Sequence, residues 1–309
     1  VYRVGRGKSG VFITERAIAH PQSRQQVKAE LNLAQKLGAT RDDKAIYLLD
    51  HAPDSAIMKE IGRLRELSFR KVGEGSGRHR DLDAYDRHYR HLVLWDNDQL
   101  EIVGGYRIGE AESILARKGL DGLYTHSLFD LGAEFRPNLN RALELGRSFV
   151  QPSYWGSRAL DYLWQGIGAY LRHYPQIRRL YGPVSISHNY PKSARDMLIY
   201  YYSRHFGNPL IPVTARQPYL LDQAAITECR AIIPGVDADA EFKSMREYLH
   251  AFGLSVPTLY KQYSDICEPG GAQFLAFNVD PDFSNCIDGL ICVDLARLKP
   301  AKRKRYLET

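Results

Sequence analysis

Apolar residues recur along this chain at the spacings that distinguish helices from strands. In the clearest segment, 157–172, Leu160, Trp164, Ile167 and Leu171 share one face of a predicted helix. Another segment begins at Ser55, a residue type that often caps helix N-termini. The pattern predicts helices over 21–38, 55–72, 157–172, 191–205, 237–252 and 257–266.

Shorter apolar runs bounded by turn residues predict strands. The runs on either side of "DNDQ" (96–99) form the two arms of a predicted hairpin. Strands are predicted over 1–4, 45–50, 91–95, 101–109, 142–150, 179–187, 272–280 and 286–295, and turns or loops over 5–10, 111–140 and 207–236.

The order of these elements indicates the fold class. The strand–helix–strand order over 142–187 implies a parallel crossover, whereas the hairpin implies an antiparallel pair. We therefore predict an α/β (α+β) fold, in which helices cover a mixed sheet.

Composition excludes several classes of protein. Of the 309 residues, 44% are hydrophobic and 25% are charged, which is the balance of a globular protein and not of a disordered one. The longest apolar run, 197–202, is far shorter than the roughly 20 residues that span a bilayer. Cys229, Cys267, Cys286 and Cys292 form no CxxC pair, which argues against a zinc site and fits a reducing cytosol.

The net charge is +6 at pH 7, and the basic excess lies toward both ends of the chain. Residues 1–80 hold 16 Lys and Arg against 9 Asp and Glu, and residues 299–309 hold five against one. Such a surface favours an acidic partner, which can be nucleic acid, an anionic lipid or an acidic protein. Composition does not choose among the three.

Glu144 and Arg147 are a charged pair within a predicted strand. Because they are three residues apart, they point to opposite faces if the strand is regular. A bulge at Gly146 would turn both toward one cleft; without it they are surface residues of an edge strand. The loop that follows leads into the N-terminus of a strong helix, a junction that favours an anion.

Asp81, Asp83 and Asp86 lie close together in "DLDAYD". Asp83 and Asp86 would share a helix face, where they would attract an ammonium group or an arginine. The alternative is a solvated acidic turn. A short acidic cluster without histidine is weak evidence for a metal, and we predict no metal site.

Taken together, these charged residues resemble the pattern of acyl-homoserine-lactone synthases, a family with an N-acetyltransferase-like (GNAT) fold. Both their order and their rough spacing fit. The matching residues are Arg65 and Phe69 in the helix predicted over 55–72, then Asp83, Asp86, Arg107, Glu144 and Arg147.

A sister family is more similar, the hemolysin-type, ornithine-lipid-synthase-like N-acyltransferases. The segments that carry this resemblance are "RLRELSFRKVGEG", "DLDAYDRHYRHLVLWD", "GLYTHSLFDL", "ALELGRSFVQPSY", "LWQGIGAYL", "GPVSIS" and "FNVDPDFSNCIDGLICVDL". It implies a GNAT-like, mostly antiparallel sheet with a splayed central pair of strands over 45–309, ending in a basic tail. Some members carry a lysophospholipid acyltransferase domain upstream, so 1–44 is predicted to be a leader or the remnant of such a domain.

The resemblance implies transfer of a long-chain fatty acyl group from acyl carrier protein to the amine of an amino acid. An amine attacks only when neutral, so a base must take its proton, directly or through a water. The resemblance assigns that role to Glu144. It also implies that Arg107 and Arg147 hold the acceptor carboxylate or order the acidic cluster, and that Asp83 and Asp86 pair with those arginines or with the acceptor's ammonium group.

The thioester donor is expected to lie where the strands splay. Backbone N–H groups near Phe149 and Val150 would stabilise its oxyanion, and Tyr190 would protonate the departing thiolate. The following loop contains a single glycine, which suits one phosphopantetheine phosphate better than the pyrophosphate of coenzyme A, although acyl-CoA stays open as a donor. The phosphate is expected near Gln151, Ser153, Gly156, Ser157 and Arg158; Ser185 and Ser187 are expected to line the cleft, and Arg65, Phe69 and Arg70 to contact the substrate or partner.

Other functions stay open at this point. A lactone-forming signal synthase would bind S-adenosylmethionine. A non-enzymatic, hemolysin-like membrane protein would need an amphipathic or spanning segment, and neither is clear in the sequence. A nucleic-acid binder would interleave aromatic and basic side chains on one face, so no nucleic acid is expected.

The resemblance gives the basic excess a narrower meaning. Acyl carrier protein is acidic and an acylated product belongs in a membrane, so we expect a cytoplasmic protein at the inner face of the cytoplasmic membrane, without a permanently bound cofactor. The basic stretch near Arg65 and Arg70 is the expected dock for the carrier protein. Residues 299–305 are the expected contact with an anionic membrane surface.

Overall fold

The predicted fold class is confirmed by a computed structural model, which describes residues 15–235 and 237–308. One eight-stranded sheet carries helices on both of its faces. The strand predicted over 1–4 and the turn predicted over 5–10 lie outside the described residues.

Within the described residues, strands form where the apolar runs predict them, and three further strands are added. Those in the described residues are β1 (Gln35–Ala39), β2 (Lys44–Asp50), β3 (Arg90–Asp96), β4 (Glu101–Glu110), β5 (Phe129–Asp130), β6 (Ala142–Val150), β7 (Arg179–Ile186), β8 (Thr214–Ala215), β9 (Ala272–Asp280) and β10 (Cys286–Asp294). The three added strands are β1, β5 and β8. The sheet has the order β1-β2-β3-β4-β6-β7-β10-β9, and β5 pairs with β8. All neighbours in the sheet are antiparallel except β6 and β7, which form the predicted crossover.

Helices connect and cover these strands. Those described are α1 (Arg24–Leu31), α2 (Ala56–Lys71), α3 (Ala111–Lys118), α4 (Tyr124–Leu128), α5 (Ala159–His173), α6 (Lys192–Phe206), α7 (Gln223–Ile232), α8 (Ala238–Ala251), α9 (Thr258–Ser264) and α10 (Pro300–Leu307). The hydroxyl of Ser55 accepts a hydrogen bond from the amide of Met58, so the predicted cap of α2 is confirmed. None of these helices combines the length and hydropathy that crossing a bilayer requires.

Three predictions of local structure are wrong. The segment predicted as irregular over 111–140 contains α3 and α4, and the loop predicted over 207–236 contains α7. The start of α7 is marked by Asp222, whose side chain accepts from the amide of Ala225 at 2.8 Å. The helix predicted over 21–38 ends at Leu31, because the residues that follow pair with β2 as strand β1.

The sheet is buried on both faces, which explains why β2 is an unbroken apolar run. Ile46 and Leu48 pack in the large hydrophobic cluster that includes α5. Tyr47 and Leu49 face the opposite side and pack under α1 and α2. A strand covered on both faces carries no polar alternation.

The domain boundary expected at residue 44 falls between two paired strands. β1 is hydrogen-bonded to β2, and Val27 and Leu31 of α1 are buried against α2. The described part of 1–44 therefore shares the sheet and core of the rest of the chain. Its origin in an upstream domain stays a prediction.

The basic tail is helical and its charges are largely paired. Lys299 and Lys302 form ion pairs with Asp265 at 2.8 and 2.9 Å, and Arg305 pairs with Asp161 at 2.6 Å. This pairing leaves less positive charge for the expected membrane contact, which stays a prediction.

Gly168 lies where α5 packs against α10, and a Cβ at this position would collide with the backbone carbonyl of Tyr306. Alanine is the better helix former by about 1 kcal/mol. We nevertheless expect Gly168→Ala to lower the free energy of unfolding in urea by about 1–3 kcal/mol, because overpacking against backbone forces a shift.

Gly38→Ala is the control, since a Cβ on Gly38 meets nothing within 4 Å. Its effect should stay within about 0.5 kcal/mol. If Gly168→Ala is neutral or stabilising, α10 does not pack on α5 as described.

Candidate active site

β6 and β7 separate after three paired residues and leave a cleft between them. Their parallel pairing joins 142–144 to 179–181, and within the described residues the two strands do not pair beyond it. β6 stays paired with β4 up to Val150, and β7 stays paired with β10. The splayed central pair predicted from the resemblance is confirmed.

The cleft in this splay has a volume of about 850 Å³, which is the size of a site for an extended small ligand. Residues 145–150 form one wall and 183–185 the other. Phe69 lies between them, edge-on to Phe283 with ring centroids 5.0 Å apart. Phe69 therefore lines the cleft, and its contact with a substrate stays a prediction.

A β-bulge brings Glu144 and Arg147 to the same side of the sheet. The register of β6 against β4 shifts there, and Arg147 has a left-handed φ of 48°. The bulge predicted at Gly146 is thus present one residue later. Glu144 consequently reaches Thr125 of α4, and Arg147 reaches the neighbouring Tyr124.

Glu144 is sealed away from the cleft. It is 1% exposed and is not among the residues that line the cleft. Its carboxylate accepts from the hydroxyls of Tyr89 (2.6 Å) and Tyr181 (3.1 Å) and from the amide and hydroxyl of Thr125 (2.7 and 2.8 Å). Four donors fill the lone-pair positions of a carboxylate, so Glu144 cannot take a proton from a substrate directly. The predicted role of Glu144 as a base that acts through a water stays a prediction.

Three arginines and three aspartates form a largely buried chain of ion pairs beside the cleft, which we call the charge chain. The arginines thus order the acidic cluster, which is one of the two alternatives that the resemblance left open. Successive pairs are Arg65–Asp86 (2.8 Å), Asp86–Arg107 (3.3 Å), Arg107–Asp83 (2.6 Å), Asp83–Arg147 (3.4 Å) and Arg147–Asp81 (3.1 Å).

Burial alone would raise the pKa of Asp86, but the guanidinium groups of Arg65 and Arg107 outweigh it and hold that pKa well below its usual range. His91 lies against the same pair, with Nδ1 3.2 Å from Arg65 Nη2. Burial, and then the charge of Arg65, lowers the pKa of His91 to about 3. Its ring is therefore neutral near pH 7 and accepts the hydrogen bond from Arg65.

Arg65 is 1% exposed, so its own side chain cannot contact a partner protein directly. The docking of a carrier protein on the basic stretch near Arg65 and Arg70 stays a prediction. Arg70 binds Glu66 at 2.6 Å and the carbonyl oxygens of Arg16 and Arg78, each at 2.6 Å. It ties the loop after α2 to the segment before α1.

The loop before α5 meets the cleft at only part of its predicted phosphate site. Gly156 and Ser157 line the cleft, whereas Ser153 and Arg158 are exposed outside it. Gln151 is buried, and its side-chain amide donates to the carbonyl of a β4 residue at 2.5 Å. Gln151 is therefore committed to the sheet and does not face a phosphate.

The amide of Val150 points into the splay. A Cβ on Gly104 of β4 would collide with the carbonyl oxygen of Phe149, so that carbonyl points toward β4. In a trans peptide the following N–H points the opposite way, which is the open side facing β7. The carbonyl oxygen of Val150 accepts a hydrogen bond from Trp155 Nε1, in the loop that follows β6, at 2.7 Å.

The predicted polar residues of the opposite wall also line the cleft. The hydroxyl of Ser187 donates to the main chain after α2 at 2.6 Å, and that of Tyr190 donates to the carbonyl of Ser255 at 2.8 Å. Ser185 donates to Asp288 at 2.6 Å. Burial raises the pKa of Tyr190, so its hydroxyl keeps its proton near neutral pH.

Two carboxyl groups that line the cleft, Glu74 and Asp288, are not predicted from the sequence. Burial raises the pKa of Asp288 to about 7, and it raises that of Glu74 to about 8. The signal for Asp288 is an acidic residue inside the apolar strand β10, where an aspartate is costly unless it has a function.

A smaller, polar pocket of about 330 Å³ adjoins the cleft, and we call it the side pocket. Tyr124 and Arg147 line both cavities and form the wall between them. In the described residues, no group of three or more His, Cys, Asp or Glu side chains is placed to hold a metal ion. The charged residues of the side pocket are Arg78, Asp81, Asp83, Arg147, Arg216, Asp280 and Asp282.

The fold and the splayed cleft define a class that sequence comparison supports. Residues 64–165 match the sequence profile of the acetyltransferase (GNAT) domain. The fold is GNAT-like, and both this match and the names of the relatives support an acyltransferase.

Its relatives include N-acyltransferases that act on amino acids. The glycine N(alpha)-acyltransferase of Bacteroides thetaiotaomicron is 29% identical over 305 residues, 94% of this chain and 90% of that protein. The L-ornithine N(alpha)-acyltransferase of Agrobacterium fabrum is 38% identical over 113 residues, 35% of this chain and 38% of that protein. A solved CoA-dependent acyl-homoserine lactone synthase aligns with a TM-score of 0.31 at 13% identity over 75% of each chain, which is too weak to carry a conclusion. The resemblance to amino-acid N-acyltransferases is thus confirmed.

Because His91 is neutral in the folded protein, we expect the free energy of unfolding to fall on acidification. Its folded pKa of about 3 lies below the ordinary 6.5, so the unfolded chain binds the extra proton between those values. The contribution of the neutral His91 to the free energy of unfolding is complete above pH 6.5 and is lost as the pH falls toward 3. We expect a loss of about 2 kcal/mol between pH 7 and pH 5 in urea unfolding.

Replacement of His91 by asparagine removes this titration and should flatten the dependence of stability on pH over that range. His250→Asn is the matched control, because His250 is exposed. Equal slopes in wild type and His91→Asn would show that His91 is not held neutral.

Proposed function

We propose that this protein transfers a long-chain fatty acyl group from acyl carrier protein to the α-amine of an amino acid. The observation that carries the proposal is the wall shared by two cavities of different character. The cleft in the splayed sheet suits an acyl thioester, and the side pocket suits a small zwitterion. They meet at Arg147 and Tyr124, so the two reactants would meet there too.

The donor is placed along β6. Its thioester carbonyl accepts from the amide of Val150, which faces the open side of the splay and stabilises the oxyanion as it forms. The acyl chain lies against Phe69 and the apolar walls. The phosphopantetheine arm leaves past Gly156 and Ser157, and the hydroxyl of Tyr190 turns from the carbonyl of Ser255 to deliver a proton to the departing thiolate.

Acyl carrier protein is the proposed carrier of this arm. The chain has a net charge of +6, which complements an acidic carrier. Trp155 lines the cleft and is 49% exposed, and Arg158, three residues further along the chain, is exposed and pairs with Asp161 at 3.6 Å. Trp155 and Arg158 are the proposed contact with the carrier protein.

The acceptor is placed in the side pocket. Arg216 and Arg78 bind its carboxylate, and Asp280 and Asp282 face its ammonium group. The names of the relatives, glycine and L-ornithine N(alpha)-acyltransferase, support an amino acid as the acceptor. Arg107, Asp83 and Asp86 act as positioning residues, because they hold Arg147 in the shared wall.

The product would be an N-acyl amino acid, a lyso-aminolipid with one acyl chain. Such a product partitions into a bilayer, which supports a peripheral position at the inner face of the cytoplasmic membrane. Peripheral attachment of this kind needs no membrane-crossing helix.

Product analysis tests the function directly. Purified protein is incubated with palmitoyl-acyl carrier protein or palmitoyl-CoA and with glycine, ornithine or S-adenosylmethionine, and the products are identified by mass spectrometry. We expect an N-acyl amino acid from the carrier-protein donor. Product from acyl-CoA alone would overturn the proposed donor, and an acyl-homoserine lactone would overturn the proposed acceptor. The absence of any product would contradict the function.

If the acceptor binds in the side pocket, replacing an arginine there should weaken the binding of the acceptor alone. Arg216 is exposed and is held by the carbonyl of His126 at 2.8 Å. Since a charge-assisted hydrogen bond to the carboxylate is lost, we expect Arg216→Met to raise the KM for the amino acid by about 10-fold or more. The KM for the acyl donor should not change.

Arg230→Met is the control, because Arg230 is an exposed arginine of α7 that lines neither cavity. It should leave both KM values unchanged. A rise in the donor KM in Arg216→Met, with the acceptor KM intact, would place the acceptor elsewhere.

A further inference from the structure

Asp288, one of two carboxyl groups that line the cleft, has an oxygen that no donor among the described residues occupies. Asp288 is 3% exposed and lies on β10 directly opposite Ser185 of β7. The hydrogen bonds that it receives from described residues, from Ser185 (2.6 Å) and from the thiol of Cys286 (3.8 Å), both reach Oδ1. Oδ2 is left to accept from a ligand in the cleft.

Glu144 offers the opposite geometry. Its two oxygens are filled by four donors, and its side chain does not line the cleft. A proton acceptor must lie within hydrogen-bond reach of the proton that it takes. Asp288 meets this requirement for a substrate in the cleft, whereas Glu144 does not.

We propose that Asp288 is the catalytic base that takes the proton from the acceptor's ammonium group, an inference that rests on the acyl-transfer function proposed above. The ammonium group gives one proton to Oδ2, and the neutral nitrogen attacks the thioester carbon. A C–N bond forms, and collapse of the tetrahedral intermediate breaks the C–S bond. The nitrogen then loses its second proton while the thiolate takes one up, so one proton is released overall and Asp288 returns it to solvent.

The position of Asp288 next to the side pocket supports this role. Asp280, which lines the side pocket, lies close enough that its charge adds to burial in raising the pKa of Asp288. Arg147, in the wall between the cavities, acts in the opposite direction. The pKa of Asp288 therefore depends on charges in the side pocket and in the wall that the acceptor's amine must pass.

Electrostatics suits Asp288 to general-base catalysis near neutral pH. Burial raises its pKa to about 7, so a large fraction is ionised at neutral pH and still holds a proton well. Glu74, with a pKa raised to about 8, keeps its proton when Asp288 has lost its own. The titratable and charged groups that face Asp288 are Glu74, Tyr124, Arg147, Tyr260, Asp280 and Cys286.

Asp288→Asn tests the proposal in the assay with acyl donor and amino acid. The variant keeps the shape of the side chain and removes the base, so kcat should fall by about 10²- to 10⁴-fold with little change in the donor KM. In wild type, kcat/KM should rise with pH through about 7 and then level off as Asp288 ionises. In the variant this limb should be lost, and the rate should climb toward the pKa of the amine, because only amine that is already neutral reacts.

Two further variants separate the base from a structural effect. Asp280→Asn removes a neighbouring negative charge, so the rising limb should move to lower pH. Ser185→Ala removes a hydrogen bond to the carboxylate, so the limb should move to higher pH. Glu144→Gln should keep the limb near pH 7, whatever its overall activity.

The outcomes distinguish this inference from the function on which it rests. If wild type forms no N-acyl product, the function fails. If wild type is active and Asp288→Asn keeps both its rate and its rising limb, the function stands and Asp288 is not the base. Loss of the limb in Glu144→Gln, with the limb intact in Asp288→Asn, would return the role to Glu144.

Discussion

The buried charge chain is the constraint on which the rest of the site depends. It joins α2, the segment after it, β4 and β6 through alternating arginines and aspartates, from Arg65 to Asp81. Taking these ions out of water is costly, and the cost is met only when every partner is present. A chain of this kind contributes little net stability and instead specifies one arrangement. Its last arginine, Arg147, is thereby held in the wall between the two cavities.

That arrangement turns a strained backbone into a site. The left-handed conformation of Arg147 costs about 1–3 kcal/mol for a residue with a side chain, and it persists because the charge chain and the ring of Tyr124, 4.7 Å from the guanidinium, determine where Arg147 lies. The bulge there precedes the part of β6 where the sheet opens toward β7. The bulge at Arg147 thus lies beside the open edge of β6, where the amide of Val150 faces β7. Arg147 and Asp288 both line the cleft there.

The sequence predicts the elements of this fold better than the detail of its site. Periodicity alone places α2, α5 and the long strands, because each has a buried face of its own. Resemblance adds the alternating Arg and Asp residues of the charge chain. Neither reveals that Arg65 is buried, since most arginines are exposed and its partner comes from another segment. Asp288 is missed because its partner Ser185 lies 103 residues away, and the burial of Glu144 depends on tyrosines that only the folded chain brings together.

A crystal structure with a stable bisubstrate analogue would test the central claim most directly. The analogue would join pantetheine through a thioether to the acyl part of an N-acyl amino acid, so that its amide carbonyl stands in for the thioester carbonyl. We predict that the acyl chain lies between β6 and β7, that the oxygen of this carbonyl accepts from the amide of Val150, and that the amino-acid nitrogen lies within hydrogen-bond distance of Asp288 Oδ2. An acyl chain outside the splay, or a nitrogen directed at Glu144 and away from Asp288, would contradict the account.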